Sequence, residues 1–167
     1  MPALDPVVLD ALNRQITTER QNSAIYSAVA NRFDVLNLTG LAKFARANAA
    51  EELTHAAKIT DYVIDRYGFP VIDALQAVNP PETDMLTAAR VLFALALTRE
   101  QITTEAIKTI YDLAEDADDP QTCQFLLWFL EEQTKSEREF SELVAKAQIA
   151  ETDAAAVLML DETLGGD

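Results

Sequence analysis

A carboxylate and an imidazole one helical turn apart, Glu52 and His55, are the pair in this chain best placed to do chemistry, and three other polar positions share their setting: Glu19, Glu100, and Gln133 with Ser136. Each lies near the midpoint of a long run whose apolar residues recur at steps of three and four, the spacing of a core-facing helical stripe. The first stripe reads Leu9, Leu12, Ile16, Glu19, Ser23, Tyr26 and Ala30, and the second Leu41, Ala45, Asn48, Glu52, His55, Ile59 and Tyr62. The third reads Leu86, Phe93, Ala96, Glu100, Thr103, Ile107 and Ile110, and the fourth Leu126, Phe129, Gln133, Ser136, Phe140, Leu143 and Ala147. Packed together, four such helices bring the interruptions into one buried layer.

A bare carboxylate in a bundle core costs several kcal/mol to desolvate, against a net domain stability of roughly 5–15 kcal/mol. Three of them converging therefore require cations or protons. A lone Glu-x-x-His is ordinarily a solvated pair and a lone buried Glu ordinarily meets an Arg, but no Arg or Lys occupies a matching stripe position here. With three carboxylates, one imidazole and one amide, the donors are mostly oxygen, which suits iron or manganese better than a thiol-seeking metal. Glu52 is placed to bridge two ions.

Four long helices are expected to carry this layer, at 6–34, 38–67, 83–116 and 120–149, with a short fifth at 153–163. Asn37 to Gly40 is a brief connection that makes the first two antiparallel. Gly68 and Pro70 end the second helix, Asp118, Asp119 and Pro120 mark the turn into the fourth, and Thr152 or Asp153 can cap the fifth. The link from Phe69 to about Glu82 contains Pro70, Pro80 and Pro81. Extended, it spans at most about 50 Å, against about 45 Å for a thirty-residue helix. It can cross the whole bundle and start the third helix at the end where the second began. The fifth segment is too short to stand alone and must pack on its own bundle or, as the reading we favour has it, on copies of itself.

The chain has 167 residues, 49% of them hydrophobic, and four glycines, which is enough for one folded helical domain over residues 1–167. Met1 to Pro6 has neither a basic nor an apolar run, no segment reaches the ~18–20 apolar residues of a membrane span, and the single Cys123 permits no internal disulfide. A cytoplasmic location is expected. The formal net charge of -15 argues against nucleic acid, which needs a basic footprint. It suits a protein that gathers cations, although solubility alone would also account for it.

The stretches LNRQITTERQNSAIYSAVANRF, RANAAEELTHAAKITDY, LTREQITTEAIKTIY and FLLWFLEEQTKSEREF, with the tail AAAVLMLDETLGG, resemble the ferritins over nearly the whole chain. The resemblance implies an all-α, ferritin-like four-helix bundle with one long crossover and a short C-terminal helix. It also implies an intrasubunit di-iron ferroxidase centre that oxidises ferrous iron with dioxygen, and a homo-oligomeric cage of twenty-four subunits that stores the ferric mineral. Carried over to these positions, Glu19, Glu52 and His55 hold the first iron, Glu52 bridges, and Glu100 holds the second. Gln133 stands beside the centre, Tyr26 near the irons, and Trp128 where bacterial ferritins have an aromatic. Glu51 and Glu132 are candidate transit ligands.

Departures from the family pattern also shape the expectation. Gln124 and Leu127 follow Cys123 where animal ferritins line a three-fold channel with two acids, so iron admission by that route is in doubt. Lys135 and Ser136 replace carboxylates of a third bacterial iron site, and Thr54 and Ala57 replace mineral-nucleating carboxylates of animal heavy chains. A single histidine excludes a symmetric two-histidine centre. The competing reading is a ferritin-like di-iron redox enzyme, a peroxide reductase or oxidase without bulk storage; a cage subunit with no active centre is disfavoured by the ligands retained.

Overall fold

The computed structural model describes residues 3–166; Met1, Pro2 and Asp167, and with them the first two residues of the segment read for a leader, lie outside the described residues. The helices are α1 (Pro6–Val35), α2 (Thr39–Asp65), α3 (Ala88–Asp116), α4 (Pro120–Ala150) and α5 (Ala154–Gly165), with no strand among the described residues. The long helices begin and end for local reasons. Asp5 accepts from Val7 N at 2.8 Å just ahead of Pro6, Asp119 accepts from Thr122 N at 3.1 Å just ahead of Pro120, and Asp153 accepts from Ala155 N at 2.9 Å. These are side-chain N-caps that satisfy otherwise orphaned donors.

At their C-terminal ends, α1, α2 and α3 close in the same way. Leu38 N bonds Phe33 O, Gly68 N bonds Val63 O and Asp119 N bonds Ala114 O, at 2.8–2.9 Å, the Schellman pattern with a left-handed residue in between. Those residues are Asn37 (φ 60°), Tyr67 (φ 58°) and Asp118 (φ 50°), none of them glycine. Gly68 thus ends α2 by position and not by its own left-handed backbone: a Cβ there would meet Val63 Cγ1 at 2.8 Å and Leu9 Cδ1 at 2.9 Å. α3 starts five residues later than the sequence suggested. Asp84 accepts from Leu86 N, Thr87 N and Thr87 Oγ1 at 2.9–3.0 Å, closing a separate turn ahead of Ala88.

The crossover runs alongside α1 and is laced to it. Asn13 Nδ2 donates to Phe69 O and Asn13 Oδ1 accepts from Val71 N; Thr17 Oγ1 accepts from Asp73 N; Gln21 bonds both backbone groups of Gln76, at 2.7–3.3 Å throughout. These α1 residues are four apart, one above another on a single face. Five backbone groups in the first half of an otherwise irregular link are thereby partnered, as the chain is carried from the end of α2 to the start of α3.

Two apolar clusters fill the bundle. One, at the α5 end, gathers Phe33, Leu38, Leu41, Leu92, Phe93, Phe140, Leu143 and Val157; the other gathers Val8, Leu12, Ile16, Ile59, Ile107, Leu126 and Phe129. A buried ion pair lies near the second: Arg66, just past α2, donates to Asp119 Oδ1 at 3.1 Å and Oδ2 at 2.9 Å. Burial alone would raise the Asp119 carboxyl, but the Arg66 and Thr122 hydrogen bonds hold it below its ordinary value.

α5 folds back on its own bundle. Val157 is buried in the first cluster, Asp161 Oδ1 accepts from Leu41 N at 2.8 Å to cap the start of α2, and Lys43 Nζ donates to Gly165 O at 2.6 Å. The contact requires Gly40, where a Cβ would lie 1.9 Å from the Asp161 carbonyl oxygen and 3.0 Å from Gly165 Cα. Leu158 and Met159 face outward. Gly40→Ala is expected to push α5 off α2 and to cost about 1–3 kcal/mol, seen as a lowered thermal midpoint and faster proteolysis confined to the C-terminal segment; an unchanged digestion pattern would show that α5 is held elsewhere.

Candidate metal centre

Between the two apolar clusters lies the polar layer. Glu19, Asn22 and Ser23 of α1, Glu52 and His55 of α2, Glu100 and Thr103 of α3, and Gln133 of α4 are all buried. Oxygen and nitrogen atoms of Glu19, Glu52 and His55 lie within 4.8 Å of one another, and His55 Nδ1 is 3.7 Å from Glu52 Oε2. A divalent first-row ion bonds such donors at about 2.0–2.2 Å, so modest side-chain turns would close the group on it. The edges of Trp128 and Phe129 meet the His55 ring at centroid distances of 5.6 and 6.0 Å, fixing its plane, and Lys58 Nζ covers the Trp128 ring at 4.3 Å.

Glu100 is held differently. Gln133 Nε2 donates to its Oε2 at 2.9 Å and to its backbone oxygen at 3.1 Å, and the Tyr26 hydroxyl donates to its Oε1. Tyr26 in turn stacks on Phe140 at 5.8 Å. The sequence placed Gln133 and Tyr26 beside the centre; the structure aims both at one carboxylate. Gln15 was not anticipated: wholly buried one turn before Glu19, it donates to Glu19 Oε1 at 2.8 Å. An uncharged polar residue four positions from a seam carboxylate was the available signal.

Of the predicted neighbours, Glu51 is exposed, and Glu132 is half-buried and ion-paired with Lys135 at 2.6 Å. Ser136 is half-buried at the edge of the layer. Glu139 carries a carboxyl raised by partial burial and by the charges of Glu51 and Glu142, so Glu51 has an acidic neighbour one turn beyond Ser136.

The electrostatics of the layer are those of a site short of positive charge. Burial, with the neighbouring Glu52, pushes the Glu19 carboxyl well above its usual range. Glu52 is pushed up to about 7, mainly by burial and then by the charges of Glu100 and Glu51. Burial also raises Glu100, against the opposing hydrogen bonds of Tyr26 and Gln133. Among the described residues only four buried side-chain polar atoms lack a partner, and two of them are Glu19 Oε2 and Glu52 Oε2. Such groups ordinarily find a donor. Two unpartnered carboxylate oxygens beside an imidazole are what a hard or borderline cation binds.

An all-α bundle with one long crossover, a short fifth helix and a buried carboxylate–imidazole centre defines a class, and the comparisons with known proteins agree with it. A family model described as a Ferritin-like domain matches residues 9–150. Ferritin BfrB of Mycolicibacterium smegmatis is 35% identical over 151 residues, covering 89% of this chain and 80% of that protein. The bacterial non-heme ferritin of Escherichia coli O157:H7 is 27% identical over 161 residues, covering 96% and 95%. Among solved structures, a novel open pore ferritin from the hyperthermophilic archaeon Archaeoglobus fulgidus superposes with a TM-score of 0.93 at 28% identity, covering 99% of both chains. The chain belongs to the ferritin family.

Because these carboxyls are raised in the folded protein, the unfolded chain releases its protons first, near pH 4.5. Stability of the metal-free protein therefore falls as pH rises from about 4.5 through 7. Glu52→Gln removes one part of that slope: it is expected to raise the metal-free thermal midpoint at pH 8 by several degrees, equivalent to on the order of 2–3 kcal/mol, and to change little at pH 4.5. A variant no more stable than the parent at pH 8 would show that Glu52 is not buried as a carboxylate.

Proposed function

We propose that this chain is an iron-storage ferroxidase. Ferrous ions are its substrate. One is bound by Glu19, Glu52 and His55, a second by Glu52 and Glu100, with Glu52 bridging. The observation that carries this reading is the pair of buried, unpartnered oxygens on Glu19 and Glu52 next to His55. Each ferrous ion gives up one electron; one dioxygen takes both, with two protons, and leaves as hydrogen peroxide. The carboxylates favour the harder ferric product, and a set with one histidine and Gln133 in place of a second Glu-x-x-His holds it less tightly than a symmetric site would. Release of the ferric ions for mineral growth follows from that asymmetry.

Storage requires a container, and the surface supports self-association. Phe69, Val71, Ile72 and Leu75 on the crossover and Leu158 and Met159 on α5 are exposed apolar side chains, of the kind that assembly covers. We read the container as a closed homo-oligomeric cage of twenty-four single-domain subunits in the cytoplasm, with Glu51 and Glu132 as transit ligands for iron leaving the centre. No helix of the described residues is long and apolar enough to cross a membrane.

Aerobic addition of ferrous iron to the metal-free protein tests the proposal. A fast phase of about two irons per chain, followed by ferric mineral that comigrates with a large assembly on a sizing column, is expected. Glu52→Ala should lose the fast phase, at least about a hundredfold in initial rate, while the assembly still forms. Iron oxidised without retention would favour the redox enzyme over storage, and an unchanged fast phase in Glu52→Ala would remove the centre from this layer.

A further inference from the structure

Gln15 is wholly buried on α1, between Leu12 and Ile16 of the second apolar cluster and one turn before Glu19. An amide buried among apolar side chains costs free energy that its hydrogen bonds must offset. Its Nε2 donates to Glu19 Oε1 at 2.8 Å, while Oε2 of the same carboxylate has no partner. The bond joins residues four apart on one helix, so it forms without any adjustment of the neighbouring helices. An ionised carboxylate, the form that binds a metal, only accepts, which turns the amide nitrogen and not its oxygen toward Glu19. The other α1 amide in the layer, Asn22, is engaged with α3: its oxygen accepts from Arg99 Nε at 3.0 Å and Nη2 at 2.9 Å, and its nitrogen donates to Thr103 Oγ1 at 3.0 Å.

We infer that Gln15 is a positioning residue: its amide holds Glu19 Oε1 so that the carboxylate meets a divalent cation through Oε2 alone. The inference rests on the metal-centre reading above. A glutamate side chain has several rotatable bonds, and an ion that must first still them binds less tightly; an amide that holds the carboxylate beforehand removes that part of the cost. It also decides how the carboxylate binds. With Oε1 taken up along α1, Glu19 supplies one ligand atom where a free carboxylate could supply two, and a position on the ion stays open to a further small ligand. Glu100 differs, because Gln133 and Tyr26 occupy both of its oxygens. Outer groups that orient metal ligands typically change affinity by about 10–100-fold when removed.

Anaerobic titration with Co(II), whose visible absorption reports binding and weakens as its ligand count rises, separates this role from a structural one. Gln15→Met keeps the length and neutrality of the side chain but removes the donor. It is expected to weaken Co(II) binding about 10–100-fold and to lower the absorption at saturation, as the freed Glu19 carboxylate turns both oxygens to the ion. The decisive comparison is a double-mutant cycle. In a Glu19→Ala background the amide has nothing to hold, so adding Gln15→Met should change the remaining Co(II) affinity by no more than about twofold. Thermal midpoints and sizing profiles establish that each variant folds and assembles; should Gln15→Met fail to do so, Gln15→Asn, which keeps the amide but draws it back by one carbon, takes its place with the same expected direction.

Unchanged affinity and spectrum on loss of the Gln15 amide, or the same loss of affinity with and without Glu19, would overturn the positioning role while leaving the centre itself intact. Failure of the parent protein to take up Co(II), or undiminished uptake in Glu19→Ala, would overturn the centre as drawn and the inference with it.

Discussion

Everything in this bundle is arranged around three carboxylates buried in one layer with too few donors to satisfy them. Glu19 and Glu52 each keep an oxygen with no partner, and Glu100 is held by a tyrosine and an amide and not by a charge. Each buried carboxylate costs several kcal/mol, so the rest of the fold must outweigh that layer before any ion arrives. The two apolar clusters on either side do so. A fully buried Leu, Ile, Val or Phe side chain contributes about 1.5–3 kcal/mol, and Val8, Leu12, Ile16, Ile59, Ile107, Leu126 and Phe129 on one side alone provide seven. The packing on both sides is what allows the middle to stay underpartnered.

The remaining elements keep the four helices in register so that the layer is level. The crossover is bound to Asn13, Thr17 and Gln21 along the outer length of α1, the Arg66–Asp119 pair ties the end of α2 to the start of α4, and Asp161 ties α5 to the start of α2. A helix rises 1.5 Å per residue, so a slip of a single residue in any of the four would displace a ligand by most of a metal–ligand bond length. These ties lie far from the centre yet set its geometry.

Helix periodicity and the four polar breaks made the buried polar layer legible in the sequence. Glu19, Glu52, His55, Glu100 and Gln133 interrupt seams that are otherwise apolar, and the structure brings them into one layer. The long Pro-containing link likewise declared a crossover. What periodicity could not show was contact made from off the seam. Arg99 reaches Asn22 from a neighbouring position, Arg66 buries a charge beyond the end of α2, and Asn13, Thr17 and Gln21 appear on the sequence as an ordinary solvated face. Helix ends were read less well where a non-glycine residue, Tyr67, takes the left-handed position and where Asp84 closes a turn of its own ahead of α3. The exposed face of α5 is a third case: the sequence suggested packing on other copies, while the single chain shows its inner face packed at home and Leu158 and Met159 turned outward.

The central claim is that the unpartnered oxygens of Glu19 and Glu52 exist to take metal ions. Anomalous diffraction at the iron edge, from crystals soaked anaerobically in ferrous iron, tests it most directly. The account predicts two peaks in the polar layer, one among Glu19, Glu52 and His55 and the other between Glu52 and Glu100. Iron found only at surface carboxylates, with the layer unchanged and empty, would contradict it.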